Sequence, residues 1–410
     1  MRKRAAPAPR TFLFLQGPPG PLFHNLAQEL RQRGVKVERI NLSAGDKLDW
    51  PGAATDFRGR FHSWPVFFDR FLRERKITDI LLFGDCRPYH VTARRLAALR
   101  NIRVHVLEEG YVRPHWMTLE LDGVNGHSRL RREKEWFIQE ARALPAEPEL
   151  PPVTAAFRRR VRDAARYYTA LHVGRPAYPH FRSHRPAWVL SEAFGWVWKY
   201  FVQSRRAEAA QKQLAALEGK PFFLLPLQLS GDYQIRNHSP FASMPAAAVY
   251  VLESFAAHAP EDAHLLVKAH PLDSSFFNWR RFLQRNARRL RIDGRVHFID
   301  GGDLDSLSQQ AAGMVCVNST SATVALAANT PVCALGEAIY KVPGLTFDGH
   351  VDDFWTDPPA PEPGLYECFR RVLVHNCLVR GGLASESAVA TLVKNMADKL
   401  CAPVSAEASA

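Results

Sequence analysis

The chain has 410 residues, of which 46% are hydrophobic and 11% aromatic, and its formal net charge is +13. This length exceeds what one hydrophobic core normally serves, so we expect two domains, and the composition excludes extensive disorder. The charge implies an anionic partner, but nucleic acid, anionic lipid and a sugar nucleotide would each satisfy it.

The apolar runs and the cysteines predict a cytoplasmic protein. The basic start is followed by an apolar run of only about five residues before Gly17, Pro18 and Pro19, which argues against an export signal. No other run approaches the roughly 20 apolar residues that span a bilayer. The six cysteines are scattered and form none of the close pairs typical of zinc sites or disulfide scaffolds.

A first domain is predicted over residues 10–150, where strand-like and helix-like segments alternate. Short apolar runs lie at residues 11–15, 35–42, 78–84 and 102–108. Amphipathic helical patterns lie between them, at residues 22–33, 64–76 and 91–101. Such alternation predicts a parallel sheet with helices on both faces.

The rest of the chain repeats this organisation after a change of character. Residues 151–219 lack strand runs and predict a helical connection, and a second alternating series covers 220–385. Residues 386–401 predict a C-terminal helix, and 402–410 a disordered tail. The fold class is therefore α/β, with two Rossmann-like, doubly wound domains that suggest the GT-B arrangement, in which donor and acceptor meet in a cleft. Fold alone leaves kinases, epimerases and binding proteins open.

Polar clusters follow the predicted strands, where doubly wound sheets place their ligands. The first begins with Glu108 and Glu109 and continues to Arg113. Adjacent carboxylates repel each other, which can raise the pKa of one of them into the range useful for proton transfer. A solvated acidic turn would explain the same residues.

The second cluster is Lys268 to Pro271, and the third is Asn318 to Ser321. A histidine followed by proline at a strand exit can hydrogen-bond a phosphate, and Lys268 would add positive charge. Hydroxyls and backbone N–H groups at a helix start also suit an anion. The alternatives are an ordinary loop histidine and a plain helix cap, which uses the same atoms.

A fourth segment covers residues 228–234 after the predicted strand at 221–227. Its carboxylate, Asp232, follows Gly231 and could attack an anomeric carbon or support an oxocarbenium-like transition state. A turn-forming aspartate is the alternative.

As an ordered set, these motifs resemble the capsule polysaccharide transferases of the KpsS/LipB type, which add β-linked 3-deoxy-manno-octulosonic acid (Kdo) and are related to the longer KpsC-type enzymes. The resemblance covers most of residues 10–350. Its motifs are QGPPG (16–20), GDCRPYH (84–90), EEGYVRP (108–114), GVNGHS (123–128), QLSGDYQI (228–235), KAHP (268–271) and NSTSATVALAANTPVCALGEAIY (318–340). Three of them are also similar to motifs of bacterial sialyltransferases, whose donor is likewise a CMP-activated keto-acid sugar.

The resemblance implies a GT-B enzyme that transfers Kdo with retention from CMP-β-Kdo to a lysophosphatidylglycerol-type lipid, without a metal or other cofactor. By position, Glu109 would be the acid/base group, Asp232 the nucleophile, and His270 would face the CMP phosphate. The implied donor-binding residues are Gln228, Lys268, Ser319, Thr320, Ser321 and Glu337. The implied acceptor-side residues are Gly17, Arg87, His90, Arg113 and Asn125.

A basic stretch predicts a peripheral contact with anionic lipid at the cytoplasmic face of the inner membrane. Arg158, Arg162 and Arg166 recur every four residues, which places them near one helical face. Aromatic residues that favour a membrane interface follow at Trp188, Trp196, Trp198 and Tyr200. A solvated basic face beside an aromatic core is the alternative.

The expected partners are the CMP-sugar, the anionic glycolipid, a KpsC-type second Kdo transferase and the capsule export machinery. One rival function is another CMP- or CDP-donor transferase, either sialyltransferase-like or transferring glycerophosphate. A second is a capsule-assembly or nucleic-acid-binding protein without catalytic activity. The chain shows no helix-turn-helix, zinc-finger or RNA-recognition signature, so nucleic acid is not an expected partner.

Overall fold

The computed structural model describes residues 10–113, 115–147, 153, 157–183, 203–229, 233–271, 273 and 277–402. The chain divides into two compact units. Unit 1 comprises Met1–Arg129, Pro148–His184 and Val374–Ala410, and unit 2 comprises Leu130–Glu147 and Arg185–Leu373.

Each unit contains one sheet. The strands of unit 1 are β1 (Thr11–Phe14), β2 (Lys36–Asn41), β3 (Thr55–Asp56), β4 (Asp79–Phe83), β5 (Arg103–Glu109), β6 (Trp116–Leu121) and β12 (Leu378–Arg380). The strands of unit 2 are β7 (Phe222–Pro226), β8 (His264–Lys268), β9 (Val296–Ile299), β10 (Gly313–Cys316) and β11 (Val332–Ala334).

Helices connect and cover these strands. Those of unit 1 are α1 (Leu22–Gln32), α2 (Ala44–Leu48), α3 (Trp64–Glu74), α4 (Pro88–Ala98), α6 (Phe157–Val173) and α15 (Glu386–Cys401). Those of unit 2 are α5 (Lys134–Ala143), α7 (Gln203–Ala215), α8 (Tyr233–Asn237), α9 (Met244–His258), α10 (Trp279–Arg289), α11 (Leu304–Gln310), α12 (Ser321–Ala327), α13 (Val351–Phe354) and α14 (Leu365–Val372). Among the described residues, none of the helices combines the length and apolar character needed to cross a bilayer.

The sheet of unit 1 has the order β12-β6-β5-β4-β1-β2-β3. Strands β1 to β5 pair in parallel, whereas β6 is antiparallel to β5 and β12 is antiparallel to β6. Helix α1 buries Leu22, Leu26 and Leu30, whose spacing of four residues puts them on one face against the sheet. The same core includes Leu392 of α15.

The sheet of unit 2 is parallel throughout its described strands, in the order β11-β10-β7-β8-β9. Strand β7 is buried along its whole length, as expected for a central strand covered on both faces. Helix α9 packs against it through Val251 and Phe255. The predicted α/β class with doubly wound sheets is confirmed.

The boundaries of the units differ from the predicted domains. Residues 130–147, predicted within the first domain, belong to unit 2, and the chain from Val374 onward belongs to unit 1, although the second domain was predicted to extend to 385. Strand β12 completes the sheet by pairing Leu378 with Thr118, and α15 packs against α1. Within the predicted connection at 151–219, α6 belongs to unit 1 and α7 to unit 2.

Candidate active-site residues of the two units

Arg87 joins two loops at the switch point of unit 1. The strand order reverses between β1 and β4, so the loops after these strands flank a crevice of the kind that binds ligands in doubly wound sheets. Arg87 Nη1 donates a hydrogen bond to the Gly17 carbonyl at 3.3 Å. A side chain at Gly17 would meet the Phe23 ring, because its Cβ would lie 2.9 Å from a ring carbon. Two of the predicted acceptor-side residues are therefore neighbours.

His90 lies in the first turn of α4 beneath the same loop and is fully buried. Its Nδ1 is 2.7 Å from the carbonyl oxygen of Gly84, so Nδ1 carries the proton and donates it. Burial, followed by the nearby charge of Arg87, lowers the pKa of His90 to about 3. The imidazole is thus neutral and is hydrogen-bonded to Gly84 in the loop after β4, within unit 1, where the resemblance places the acceptor-side residues.

Glu109 ends β5 with its carboxylate between two arginines. Its Oε1 forms an ion pair with Arg160 of α6, and its Oε2 lies 3.6 Å from Nη2 of Arg113. The Arg113 side chain is half exposed. The sequence did not indicate the contact with Arg160, because nothing in the basic run of α6 shows which arginine turns toward the sheet. Glu109 therefore makes charge-assisted contacts with two guanidinium groups.

Asn125 links the end of β5 to the loop that follows β6. Its Nδ2 donates to Glu108 Oε2 at 2.8 Å, and its backbone N–H donates to the Tyr111 hydroxyl at 2.7 Å. Tyr111 in turn donates to the partly buried Glu120 at 2.5 Å. The backbone of Asn125 is left-handed, with φ of 55°, a conformation that asparagine adopts more readily than most residues. The predicted polar cluster after β5 is therefore a connected network.

Asp85 and Cys86, in the loop after β4, contact each other and His127. The Cys86 thiol donates to Asp85 Oδ1 at 3.2 Å, and His127 Nδ1 lies 2.9 Å from Asp85 Oδ2. Burial, and then the charge of Asp85, raises the pKa of the Cys86 thiol far above its usual value. Carboxylate, thiol and imidazole are all side chains that can ligate a metal ion, and the ligand atoms of these three residues lie within 4.8 Å of one another.

Gln228 and Asn318 meet at the switch point of unit 2. The strand order reverses between β7 and β10, and these residues follow those two strands. Gln228 Nε2 donates to Asn318 Oδ1 at 2.8 Å, and the Asn318 backbone N–H donates to Gln228 Oε1 at 3.1 Å. The predicted donor-side segments at 228 and 318–321 are therefore joined at the carboxyl edge of the sheet.

The three hydroxyl residues lead from β10 into α12. Ser319 is almost buried, its Oγ accepts a hydrogen bond from the Ser321 backbone N–H at 3.2 Å, and its carbonyl accepts one from Tyr340 at 2.8 Å. Thr320 is the residue before the helix and makes no side-chain cap. The Ser319 hydroxyl thus accepts a local hydrogen bond at the start of α12, which fits both a helix cap and a phosphate contact because the two roles use the same atoms.

Lys268, His270 and Glu337 follow other strands at the same edge. Lys268 ends β8 and is buried, and His270 is partly exposed two residues later. Glu337 follows β11 with an exposed side chain, and its backbone N–H donates to the His238 carbonyl at 2.7 Å. Unit 2 therefore brings all its described donor-side candidates to the loops at the carboxyl ends of its strands.

The predicted nucleophile and the predicted membrane contact fall partly outside the described residues. Asp232 lies outside the described residues, as do Trp188, Trp196, Trp198 and Tyr200. The three arginines of the predicted basic face, Arg158, Arg162 and Arg166, are exposed on α6. Arg162 lies 3.5 Å from Asp163 and 3.9 Å from Glu386.

Comparisons with known proteins identify the family. The family described as "Capsule polysaccharide biosynthesis protein" matches residues 78–383. The capsule polysaccharide modification protein LipB of Neisseria meningitidis serogroup A is 33% identical over 391 residues, which cover 91% of this chain and 91% of LipB. The capsule polysaccharide export protein KpsS of Escherichia coli is 30% identical over 378 residues, which cover 89% of this chain and 94% of KpsS.

Among solved structures, the β-Kdo 2,7 transferase of Thermosulfurimonas dismutans KpsC aligns with a TM-score of 0.46 and 14% identity, covering 94% of this chain and 99% of that chain. The relatives LipB and KpsS match nearly their whole length, and the family match covers all of unit 2 and part of unit 1. The chain belongs to the capsule polysaccharide biosynthesis protein family, as its motifs predict.

Proposed function

We propose that this chain is a retaining glycosyltransferase that moves Kdo from CMP-β-Kdo to a lysophosphatidylglycerol-type acceptor, within the poly-Kdo linker of a capsular polysaccharide. Membership of the capsule family, with relatives named for capsule modification and export, supports a role in capsule assembly. The resemblance of the motifs supports the sugar and its CMP carrier. The observation that carries the proposal is the pair Gln228 and Asn318 at the switch point of unit 2.

Unit 2 is the proposed donor side. Departure of CMP requires stabilisation of negative charge on its phosphate. Lys268 and His270 would provide positive charge and a hydrogen-bond donor, and the hydroxyls of Thr320 and Ser321 would provide further donors. The fixed position of Asn318 would hold the start of this hydroxyl segment against the donor.

Unit 1 is the proposed acceptor side. Retention requires two displacements, so one carboxylate forms a covalent adduct and another group takes the proton of the acceptor hydroxyl. Asp232 is the proposed nucleophile. By its place in the motif, Glu109 is the proposed acid/base group that takes the proton of the acceptor hydroxyl. Its carboxylate is held in place by ion pairs with Arg160 and Arg113.

The exposed arginines of α6 are the proposed contact with anionic lipid. Arg158, Arg162 and Arg166 would attract phospholipid headgroups from the same unit that carries the acceptor-side residues. Since such attraction is electrostatic, binding to vesicles containing phosphatidylglycerol should weaken as salt is added. Vesicles of phosphatidylcholine alone are the control.

A turnover assay tests the proposed function. CMP-Kdo generated in situ is incubated with a fluorescent lysophosphatidylglycerol analogue, and the product mass is measured for wild type, Glu109→Gln and Asp232→Asn. The matched controls are Glu135→Gln and Asp293→Asn. We expect a gain of one Kdo mass with wild type and both controls, and its loss with both Glu109→Gln and Asp232→Asn.

The outcomes separate the rival functions. A chain that transfers sialic acid or glycerophosphate but no Kdo would be another CMP- or CDP-donor transferase. A chain that transfers none of these, while a known Kdo transferase works in the same mixture, would be a capsule-assembly protein without catalytic activity. Either result would overturn the proposed donor.

A further inference from the structure

Helix α10 of unit 2 and the residues that follow it carry a dense set of positive charges that the proposed function does not use. Half of the residues in the range 280–291 are arginines, and the range contains no carboxylate. The arginines are Arg280, Arg281, Arg285, Arg288, Arg289 and Arg291. All of them are exposed to solvent. Such a surface is available to an anionic partner.

The apolar side of α10 faces the core of unit 2, so its charged side faces solvent. Apolar residues recur every four positions and are buried, namely Trp279, Leu283 and Ala287. On the opposite side, Arg281, Arg285 and Arg288 recur at spacings of four and three positions. We call these three residues the arginine face of α10. Because a helix rises 1.5 Å per residue, this face is about 10 Å long.

The charge of the arginine face is not neutralised within the protein. In the part of the chain that the structure describes, none of its three arginines forms an ion pair. Arg289, beside the face, pairs with Glu253 at 2.7 Å. Arg280 lies over the ring of Phe298, with 5.8 Å between its Cζ and the ring centroid. The arginine face itself therefore remains a set of like charges.

Helix α3 shows how this protein builds an ordinary solvated helix surface. Arg70 lies 3.8 Å from Glu74, and Arg73 lies 3.3 Å from Asp69, so each arginine has a carboxylate four positions away. Such pairs offset the charge of the arginines and support the helix. Helix α10 has arginines four positions apart without the carboxylates, and like charges at this spacing repel each other. An anion from outside the protein would relieve this repulsion.

The chemistry of the arginine face fits the phosphates of an anionic bilayer. A guanidinium group can bind phosphate through two parallel hydrogen bonds. Clusters of about four to eight basic side chains on an amphipathic helix are typical of surfaces that adsorb to anionic lipid. Phe277, just before the helix, is 40% exposed, and its ring packs against Trp279 with 4.8 Å between the centroids. An exposed aromatic ring beside basic residues suits the headgroup region of a bilayer.

The arginine face is separate from the loops that carry the donor-side candidates. Helix α10 connects β8 to β9 and packs against one face of the sheet, whereas Gln228, His270 and Asn318 lie in loops at its carboxyl edge. We infer that the arginine face is a docking surface for a bilayer containing anionic phospholipid, which gives unit 2 a membrane contact of its own. This inference goes beyond the proposed function, because it depends neither on the donor nor on the acceptor.

Vesicle binding with matched changes of charge tests this inference. The full chain is sedimented with vesicles of phosphatidylglycerol and phosphatidylcholine, or of phosphatidylcholine alone. The test variant combines Arg281→Gln, Arg285→Gln and Arg288→Gln. The control variant removes the same charge from exposed arginines that have carboxylate partners, by combining Arg70→Gln, Arg73→Gln and Arg75→Gln. We expect the test variant to bind phosphatidylglycerol vesicles about 10-fold to 100-fold more weakly than wild type, and the control variant to stay within about threefold.

Hydrogen exchange locates the contact. In wild type, peptides that cover residues 277–291 should exchange more slowly when phosphatidylglycerol vesicles are added, and phosphatidylcholine vesicles should have no such effect. Thermal unfolding of the test variant checks its fold, which the loss of mutually repelling charges should not weaken.

Several outcomes would overturn the inference. Equal weakening in the test and control variants would show that net charge alone drives adsorption. Loss of binding only when Arg158, Arg162 and Arg166 of α6 are replaced by glutamine would place the whole contact in unit 1. Binding of duplex DNA or polyglutamate through the arginine face, without binding to vesicles, would assign the face to a nucleic acid or to an acidic protein. A wild type that transfers no Kdo but binds vesicles through α10 would overturn the proposed function alone.

Discussion

Gln228 and Asn318 exchange two hydrogen bonds where the strand order of unit 2 reverses. Gln228 is almost fully buried, so its side chain is a fixed part of the crevice and not a mobile surface group. Because one of the two bonds is to the Asn318 backbone N–H, Gln228 sets the path of the chain into the hydroxyl segment 319–321. The proposed donor site is therefore preorganised by a side chain from another strand.

Replacing Gln228 should weaken binding of the donor product. Gln228→Met keeps the length of the side chain but removes both hydrogen bonds to Asn318, so the 318–321 segment loses its fixed position. We expect the affinity for CMP to fall about tenfold, which corresponds to about 1.4 kcal/mol. Isothermal titration calorimetry with CMP measures this change. Gln284→Met, at an exposed position of α10, should leave the affinity unchanged; equal affinities for both variants would contradict a role of Gln228 in the donor site.

Gly110 should not tolerate a side chain. It follows Glu109, and a Cβ at this position would lie 2.5 Å from the Trp116 carbonyl oxygen, which belongs to the paired strand β6 and cannot move freely. We expect Gly110→Ala to lower the free energy of unfolding by about 2 to 4 kcal/mol. Thermal unfolding compared with Gly294→Ala measures the effect, because a Cβ at Gly294 meets nothing within 4 Å. Equal midpoints for the two variants would contradict the predicted clash.

The sequence predicted those strands and helices that can be recognised from a pattern of neighbouring residues. Strands β1, β4, β5, β7 and β8 are apolar runs bounded by turn residues, and the helices between them have a clear apolar face. The position of the polar clusters was also predictable, because the carboxyl ends of parallel strands meet at one edge. Gln228 and Asn318 lie far apart in the chain, but they follow the neighbouring central strands β7 and β10 and therefore meet at the same edge of the sheet.

The features that the sequence missed depend on contacts distant in the chain. Strand β12 has only three residues and is a strand because the outer edge of β6 is available for pairing. The contacts of Arg160 with Glu109 and of His127 with Asp85 depend on which side chains of α6 and of the 123–128 loop turn toward the sheet. The burial of His90 shows the same limit, since the resemblance placed it on the acceptor side but gave no sign that its side chain is buried.

Asp49 should make unit 1 less stable at higher pH. Its Oδ2 accepts the Gly20 backbone N–H at 2.7 Å, and burial raises its pKa from 3.8 to about 6. Between these values the folded state binds a proton that the unfolded state does not, so the free energy of unfolding falls as the pH rises through this window. The shift corresponds to roughly 3 kcal/mol at most above pH 6.

Asp49→Asn tests this effect, because the amide oxygen can still accept from Gly20 but carries no charge. The variant should be more stable than wild type at pH 8 and lose this advantage near pH 4. Hydrogen exchange of peptides that cover β1 and β2 measures the difference at each pH. Asp293→Asn, at an exposed position of unit 2, should follow wild type. A constant difference between Asp49→Asn and wild type from pH 4 to 8 would contradict the raised pKa.

His297 should make unit 2 less stable at lower pH. Its Nδ1 donates to Gln213 Oε1 at 3.0 Å, so its Nε2 accepts from His264 Nδ1, also at 3.0 Å. Burial, followed by the neighbouring His264, lowers the pKa of His297 from 6.5 to about 4. Between these values the unfolded state binds the extra proton, so stability is lost as the pH falls, by roughly 3 kcal/mol at most.

Hydrogen exchange of peptides covering β8 and β9 should therefore accelerate, relative to a His297→Gln variant, as the pH falls from 6.5 to 4. His62→Gln, which replaces an exposed histidine of unit 1, should keep the pH dependence of wild type in these peptides. If His297→Gln showed that same dependence, the stability loss would have to arise from other groups in unit 2.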